Sequence, residues 1–298
     1  MAKTKLGFIG LGQMGAPMAE RLIGADVELH VFDISADAMA PFVKAGAIAH
    51  RSPKSVADAA TIILASLPNR NVSEKVAFGE GGVAEGKAVK IYADMSTIGA
   101  DCVTRIADEL AKRSIVTLDA PISGGPPAAK KGSLAMMVSG EPAAVAQLLP
   151  WLARIGLKVY DLGDRPGQAQ TMKLINNLLM ATNLVAASEG LIMGAKAGLK
   201  AAQIVEVVDA GTGQSRSLGS ILADAALSGT FDFGAHLSIV AKDTSLGTTE
   251  AGKLGVSMPV IEMANQRWQA ALAAGMGHDD FTKIHALNED ENGVKSRY

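Results

Sequence analysis

Lys173 and Asn177 stand four residues apart in a run that is otherwise apolar apart from Asn176: Met172, Leu174, Ile175, Leu178 and Leu179. Positions i and i+4 share one face of a helix, so the amine and the amide point the same way. Setting both into an apolar wall costs desolvation unless they meet a polar ligand or each other. Drying disfavours the ammonium form of a lysine, which suits it to exchange protons near neutral pH. A lysine that snorkels its amine into water from the start of a helix fits the same residues, so spacing alone leaves both readings open.

A second pattern binds rather than reacts. Gly10-Leu11-Gly12-Gln13-Met14-Gly15 follows the apolar run Leu6–Ile9 and opens a helix near Met14. The first glycine permits a tight turn, the second lets a pyrophosphate approach the backbone, and the third lets helix and strand pack closely. Free N–H groups at the helix start then face the phosphates. About 20 residues on, Asp33 ends the next apolar run, where a carboxylate would accept hydrogen bonds from an adenosine ribose. That carboxylate would repel a 2′-phosphate, and Ile34-Ser35-Ala36 offer no arginine to receive one. The expected cofactor is NAD rather than NADP, and a distant cation such as Arg51 would be needed to reverse that preference.

These residues need elements to hold them. Leu6–Ile9, Val27–Phe32, Thr61–Ala65, Ile91–Asp94, Ile115–Asp119 and Leu157–Tyr160 read as short buried strands. Leu134–Val138 reads as a further strand near the sheet's edge. Ser52-Pro53 reads as a helix cap and first helical residue, and Ala100–Lys112 shows helical spacing. Alternation of strand and helix with short connections predicts a doubly wound, mostly parallel sheet. After the turn formers Gly163-Asp164-Arg165-Pro166-Gly167 the strand-like runs almost disappear. Gln168–Gly198 reads as one long helix, apolar on nearly every face, which must be enclosed by its own domain, a second subunit or both. Ala202–Ala210, Ser217–Leu227, Ala235–Lys253, Pro259–Ala274 and Asp279–Leu287 are further helix candidates, and Glu289–Tyr298 reads as a frayed tail. The expected organisation is a Rossmann-type α/β domain over residues 1–163, then an all-α domain over 164–298.

Composition narrows the function. At roughly 150 residues per domain, 298 residues predict about two domains, with enough core to need no disulfide or metal. The 28 basic and 30 acidic residues leave no net field for a polyanion, so nucleic acid is not an expected partner. The single cysteine, Cys102, can form no intramolecular bridge and reads as a small buried thiol. Glu20 and Arg21 interrupt the only signal-like stretch, and Asn183, Ser188, Glu189 and Lys196 break the most apolar one. A soluble, cytoplasmic protein without a membrane segment is expected.

Longer blocks carry a family resemblance. Gly7-Phe8-Ile9-Gly10-Leu11-Gly12-Gln13-Met14-Gly15-Ala16-Pro17-Met18-Ala19 resembles the N-terminal signature of the β-hydroxyacid dehydrogenases. The likeness recurs at Leu67-Pro68-Asn69, Asp94-Met95-Ser96-Thr97-Ile98, Asp119-Ala120-Pro121-Ile122-Ser123-Gly124-Gly125, Lys173-Leu174-Ile175-Asn176-Asn177 and Lys242-Asp243. The blocks keep the family's order and spacing over nearly the whole chain. The resemblance implies NAD-dependent oxidation of a small 3-hydroxy carboxylic acid to its semialdehyde, or the reverse. It implies Lys173 as general acid/base, with Asn177 fixing the substrate hydroxyl. Ser123, Gly124 and Gly125 would hold the substrate carboxylate. Leu67 and Pro68 would line the cofactor near its nicotinamide side, Thr97 would contact the nicotinamide ribose, and Lys242 would reach the cofactor. Gly10, Leu11, Gly12, Gln13, Met14, Gly15 and Asp33 would hold the rest of it.

Two positions depart from the family pattern: Thr244 follows Lys242-Asp243 where a leucine is usual, and Pro126-Pro127 follow the substrate glycines. Both bear on substrate identity more than on reaction type. The alternatives are a reductase of imines or other carbonyls on the same fold, where the lysine is typically replaced, and a non-catalytic dinucleotide-binding module. Oxidative decarboxylation of a phosphorylated sugar acid fits less well, because those chains are longer. The histidines show no metal-ligand pair; His278-Asp279-Asp280 reads as helix capping, and His236 is the one histidine to watch because it precedes Lys242. No metal is expected. A homodimer or homotetramer with buried helices is.

Overall fold

The structure, a computed structural model, describes residues 3–298 and divides into two compact units, Met1–Lys173 and Leu174–Tyr298. In the first, β1 (Thr4–Ile9), β2 (Val27–Phe32), β3 (Ile48–Ala49), β4 (Ile62–Ala65), β5 (Ile91–Asp94) and β6 (Val116–Asp119) form a parallel sheet. Their order is β3-β2-β1-β4-β5-β6. The winding reverses between β1 and β4, which opens a crevice at the carboxyl ends of those strands. Helices α1 (Gly15–Glu20), α2 (Ala36–Lys44), α3 (Pro53–Ala57), α4 (Arg70–Phe78), α5 (Ala100–Ala111), α6 (Gly125–Lys131) and α7 (Pro142–Ile155) make the connections and cover the sheet.

Side chains alternate across a strand, and the two cores follow that period. Phe8, Ile62 and Leu64 enter one core with Met18, Leu22 and Leu148, whereas Ile9, Ile63 and Ala65 enter the other with Val56, Tyr92 and Ile106. Every residue of β4 and β5 is buried, which explains why those strands read as unbroken apolar runs. Ser52 caps α3 in a reciprocal box with Ser55, and Pro53 takes the first turn, where no backbone donor is required.

Two expected strands stand elsewhere. Leu134–Val138 (β8) and Gly156–Asp161 (β9) do not extend the parallel sheet; with β7 (Ile122–Ser123) they form a separate three-stranded sheet in the order β7-β8-β9. Pro121, which has no N–H to donate, ends the run of β6, and the chain re-pairs antiparallel with β8 as β7.

Helix α8 (Gln168–Lys196) runs unbroken as expected, and the division into compact units falls inside it, after Lys173. By length and apolarity alone α8 is long enough to cross a membrane, and 44% of its most apolar window is buried in the structure. The second unit continues with α9 (Ala201–Ala210), a π-wound segment Ser217–Ala226, α10 (Leu237–Lys253), α11 (Pro259–Ala273) and α12 (Ile284–Asn292). Trp268, Leu184, Leu222, Leu237, Phe281 and Ile284 centre its core.

The tail is not frayed. Glu289 is fully buried, and a buried carboxylate must be paired. The tail itself supplies the partners: the Ser296 N–H donates to Glu289 Oε1 at 2.7 Å, and Arg297 donates to its other oxygen at 2.6 Å. The N–H of Tyr298 then donates to the Leu227 carbonyl at 3.0 Å.

Candidate active site

The parallel strands deliver their carboxyl ends to one edge, and the expected cofactor residues of the first unit gather there. Gly10 leaves β1 with φ +91°, and a Cβ on it would lie 2.2 Å from the Ser66 carbonyl oxygen. A Cβ on Gly15 would lie 1.9 Å from the Gly10 carbonyl oxygen, so the turn closes only with glycine at both positions. Gly12 differs. It is exposed, its φ lies outside the left-handed region, and a Cβ on it would meet nothing within 4 Å. The polypeptide does not require glycine there, and the open space beside this stretch of backbone fits the close approach expected of a pyrophosphate. Asp33, just past β2, accepts the N–H of Leu11 on Oδ2 at 2.6 Å and that of Ser35 on Oδ1 at 2.8 Å. Gly10, Leu11, Gly12, Gln13, Met14, Gly15 and Asp33 thus form one continuous cradle, whose donor chemistry suits a dinucleotide.

Next along the edge, Leu67 and Pro68 follow β4, and Thr97 follows β5. The Leu67 N–H donates to Ser96 Oγ at 2.8 Å, tying these two loops together. The Ser96 N–H donates to Asp94 Oδ1 at 2.9 Å, and the Tyr92 hydroxyl to Asp94 Oδ2 at 3.1 Å. Asp94 and Asp119 are register partners on β5 and β6, both fully buried. Burial raises the pKa of each carboxyl, Asp119 to about 6, against the lowering effect of their hydrogen bonds.

Asp119 anchors the start of α8. It accepts the Ser139 hydroxyl on Oδ1 and the Gln170 N–H on Oδ2 at 2.8 Å, while Ser139 Oγ accepts the Ala169 N–H at 2.9 Å. Two of the orphan N–H groups at the helix start are thereby satisfied. The Gln170 side chain reaches the other way, accepting the N–H groups of Ile98 and Gly99 at 3.0 Å each and donating to the Ser96 carbonyl at 2.8 Å. Lys173 follows one turn later, 8% exposed. It does not snorkel into open water.

Ser123 ends β7. Gly124 (φ +139°) and Gly125 (φ +72°) turn the chain into α6 in conformations that side chains rarely adopt, with Pro126 and Pro127 in the helix's first turn. The prolines carry no N–H, so backbone donors at this turn come from residues 123–125.

The second unit holds Asn177 and Lys242. Asn177 Nδ2 donates to Asp243 Oδ2 at 2.6 Å, and Lys242 Nζ lies 3.1 Å from Asp243 Oδ1. Asp243, 4% exposed, therefore orients the amide and holds the amine at once. Thr244, where the family pattern has leucine, donates its hydroxyl to Asn265 Oδ1 at 2.8 Å. His236 immediately precedes α10 without a capping side-chain hydrogen bond, and its Nδ1 lies 2.8 Å from the His278 carbonyl oxygen, a brace between turns. Asp280 caps the turn at Thr282, as a capping aspartate should. Cys102 is buried in α5, where burial pushes its thiol up to about 11.

Sequence reasoning missed Gln170 and Ser139, the tie that Ser96 makes to Leu67, and the anchoring role of Asp119. The available signals were an aspartate ending a buried strand and a glutamine one turn before the lysine; neither declares its partners without the fold.

Residues 5–163 match a family described as the NAD binding domain of 6-phosphogluconate dehydrogenase. Residues 167–287 match one described as the NAD-binding of NADP-dependent 3-hydroxyisobutyrate dehydrogenase. A 2-(hydroxymethyl)glutarate dehydrogenase of Eubacterium barkeri is 36% identical over 97% of this chain and 96% of its own. A 2-hydroxy-3-oxopropionate reductase of Escherichia coli is 32% identical over 94% of this chain and 95% of its own. A crystal structure of a 3-hydroxyisobutyrate dehydrogenase from Salmonella typhimurium superposes with a TM-score of 0.84 at 27% identity, covering 96% of this chain and 100% of that one.

Proposed function

Because the chain belongs to the β-hydroxyacid dehydrogenase family, we propose that Lys173 is the general acid/base of its reaction and that the loops gathered around the sheet's carboxyl edge bind its cofactor and substrate. The reaction is an NAD(P)-linked oxidation of a small 3-hydroxy carboxylic acid to its semialdehyde, or the reverse reduction. The observation that carries the residue assignment is a buried lysine one turn beyond a helix start that is hydrogen-bonded to the loop containing Thr97.

When bound, the nicotinamide ring supplies the hydride acceptor in oxidation and the donor in reduction. Gly10–Gly15 cradle the pyrophosphate, and Asp33 receives the adenosine ribose hydroxyls. A carboxylate in that place repels a 2′-phosphate, which supports NAD over NADP. Leu67, Pro68 and Thr97 line the nicotinamide side, and Lys242 binds the cofactor. The Ser123 hydroxyl and the N–H groups of Gly124 and Gly125 hold the substrate carboxylate, since oriented backbone donors make strong bonds to an anion. Lys173 Nζ accepts the proton of the substrate hydroxyl during oxidation and returns it during reduction, while Asn177 fixes that hydroxyl. Orientation of this kind supplies much of the rate.

A cytoplasmic homodimer or homotetramer completes the reading. The exposed apolar side chains Leu254, Val260 and Met263, each about 70% exposed, support a second copy as the partner of the helical unit. The balanced charge supports an enzyme that engages neither nucleic acid nor an anionic membrane surface. The deciding experiment is a panel of short 3-hydroxy acids and semialdehydes assayed with NAD(H) and NADP(H). Turnover is expected with at least one 3-hydroxy acid and higher kcat/KM with NAD; turnover confined to imines would overturn the substrate class.

A further inference from the structure

The side chain of Gln170 is fully buried yet spends all its polar atoms on one loop. Its Oε1 accepts the N–H groups of Ile98 and Gly99, and its Nε2 donates to the Ser96 carbonyl. Thr97 lies inside that span. The loop is also the one that Ser96 Oγ joins to Leu67 and that Asp94 holds from beneath. From its other side, Gln170 offers its main-chain N–H to Asp119. A primary amide stays uncharged across the working pH range and both accepts and donates from a single planar head. Asparagine is one methylene too short for the same span, and glutamate, when ionised, cannot donate.

If the fold needed only packing at this position, an apolar residue of similar volume would serve, with the loop bonding elsewhere. Instead the residue joins two things the chemistry needs in fixed relation: the turn of α8 that ends at Lys173, and the loop that carries Thr97. We propose that Gln170 is a positioning residue, holding the lysine-bearing turn in register with the nicotinamide-side loop so that the amine stays in reach of the substrate hydroxyl. This rests on the reading of Lys173 as the acid/base. Misplacing a reacting group by about 1 Å costs on the order of 10²-fold in rate.

The test is Gln170→Met, close in volume and unable to make any of the three bonds. The expected result is a kcat lower by about 10- to 100-fold with NADH affinity within about threefold of wild type, measured by fluorescence titration on protein whose circular dichroism is unchanged. The same substitution is then made in a Lys173→Ala background. With no lysine to position, Gln170→Met should cost less than about threefold further. A second loss as large as the first, or an unchanged kcat in the single variant, overturns the proposal. Full activity of Lys173→Ala alone would instead sink the acid/base reading, so the two failures are distinguishable. Should Gln170→Met not fold, Gln170→Glu takes its place. A carboxyl group can replace the amide only while protonated, so kcat relative to wild type should fall as pH rises from about 5.5 to 8; a flat ratio contradicts the positioning role.

Discussion

The main-chain N–H of Gln170 donates to the carboxylate of Asp119 at 2.8 Å, and both residues are fully buried. An acid at the end of the sixth strand is thus the anchor for the first turn of the helix that carries Lys173. The arrangement has a thermodynamic signature. Burial raises the Asp119 carboxyl from an ordinary 3.8 to about 6 in the folded protein. Between those values the native state holds a proton that the unfolded chain has lost, so this group's contribution makes stability fall as pH rises from about 4 to about 6 and level off above. The gap corresponds to about 3 kcal/mol. Denaturant titrations of wild type and Asp119→Asn across pH 4–7 should show the variant gaining relative stability by up to that amount as pH rises. A difference constant with pH contradicts the assignment, whatever fixed offset the amide introduces.

Gly12 separates binding from folding. Its Cβ position is open, so Gly12→Ala should leave stability within about 0.5 kcal/mol of wild type. With the pyrophosphate at this turn, as proposed, the added methyl would meet it, and the Kd for NADH should rise about tenfold or more, a loss of about 1.4 kcal/mol. Gly15→Ala, whose methyl would meet the Gly10 carbonyl oxygen, should instead lower the Tm sharply. Isothermal titration together with thermal melts reads both. Unchanged NADH affinity in Gly12→Ala would remove the pyrophosphate from this turn.

In the proposed reading, Asp33 sets cofactor preference. Its carboxylate is held by the Leu11 and Ser35 N–H groups at the end of β2. Replacement by alanine deletes the ribose acceptor and the charge that opposes a 2′-phosphate. The ratio of kcat/KM for NAD over NADP should fall about tenfold or more, the size of a charged hydrogen bond. An unaltered ratio would place the discriminating group elsewhere, with Arg51 the first residue to examine.

Asp243 orients Asn177 through a 2.6 Å hydrogen bond and lies 3.1 Å from Lys242. Asp243→Ala leaves the amide without its charged acceptor, and kcat should drop about tenfold, with a smaller change in KM for the hydroxy acid. Steady-state kinetics on folded protein decide it; a pure KM effect would assign the pair to ground-state binding alone.

Much of this was readable in the residues. Strands buried on both faces, such as β4 and β5, announce themselves as apolar runs, and Gly10–Gly15 with Asp33 announce the cradle. The small second sheet was not readable, because Leu134–Val138 has the same composition whether it pairs with the parallel sheet or with β7 and β9; Pro121 decides, by ending one ladder before the next begins. The tail escaped for a similar reason. Glu289 and Arg297 look like solvated charges until the fold buries the first and brings the second to it. The side chains of Gln170, Ser139 and Ser96 act through groups distant in sequence, and a single chain carries no local mark of such partners. The departures at Thr244 and Pro126-Pro127 proved locally consistent, one bonded to Asn265 and the other seated in a helix's first turn.

The central claim concerns the amine of Lys173, and the most direct measurement is the turnover of Lys173→Ala beside its affinity for NADH. The account predicts a kcat lower by on the order of 10²-fold or more while NADH binds within about threefold of wild type, with Lys173→Arg failing to restore the rate because a guanidinium does not give up its proton. A Lys173→Ala enzyme that turns over at the wild-type rate would contradict it.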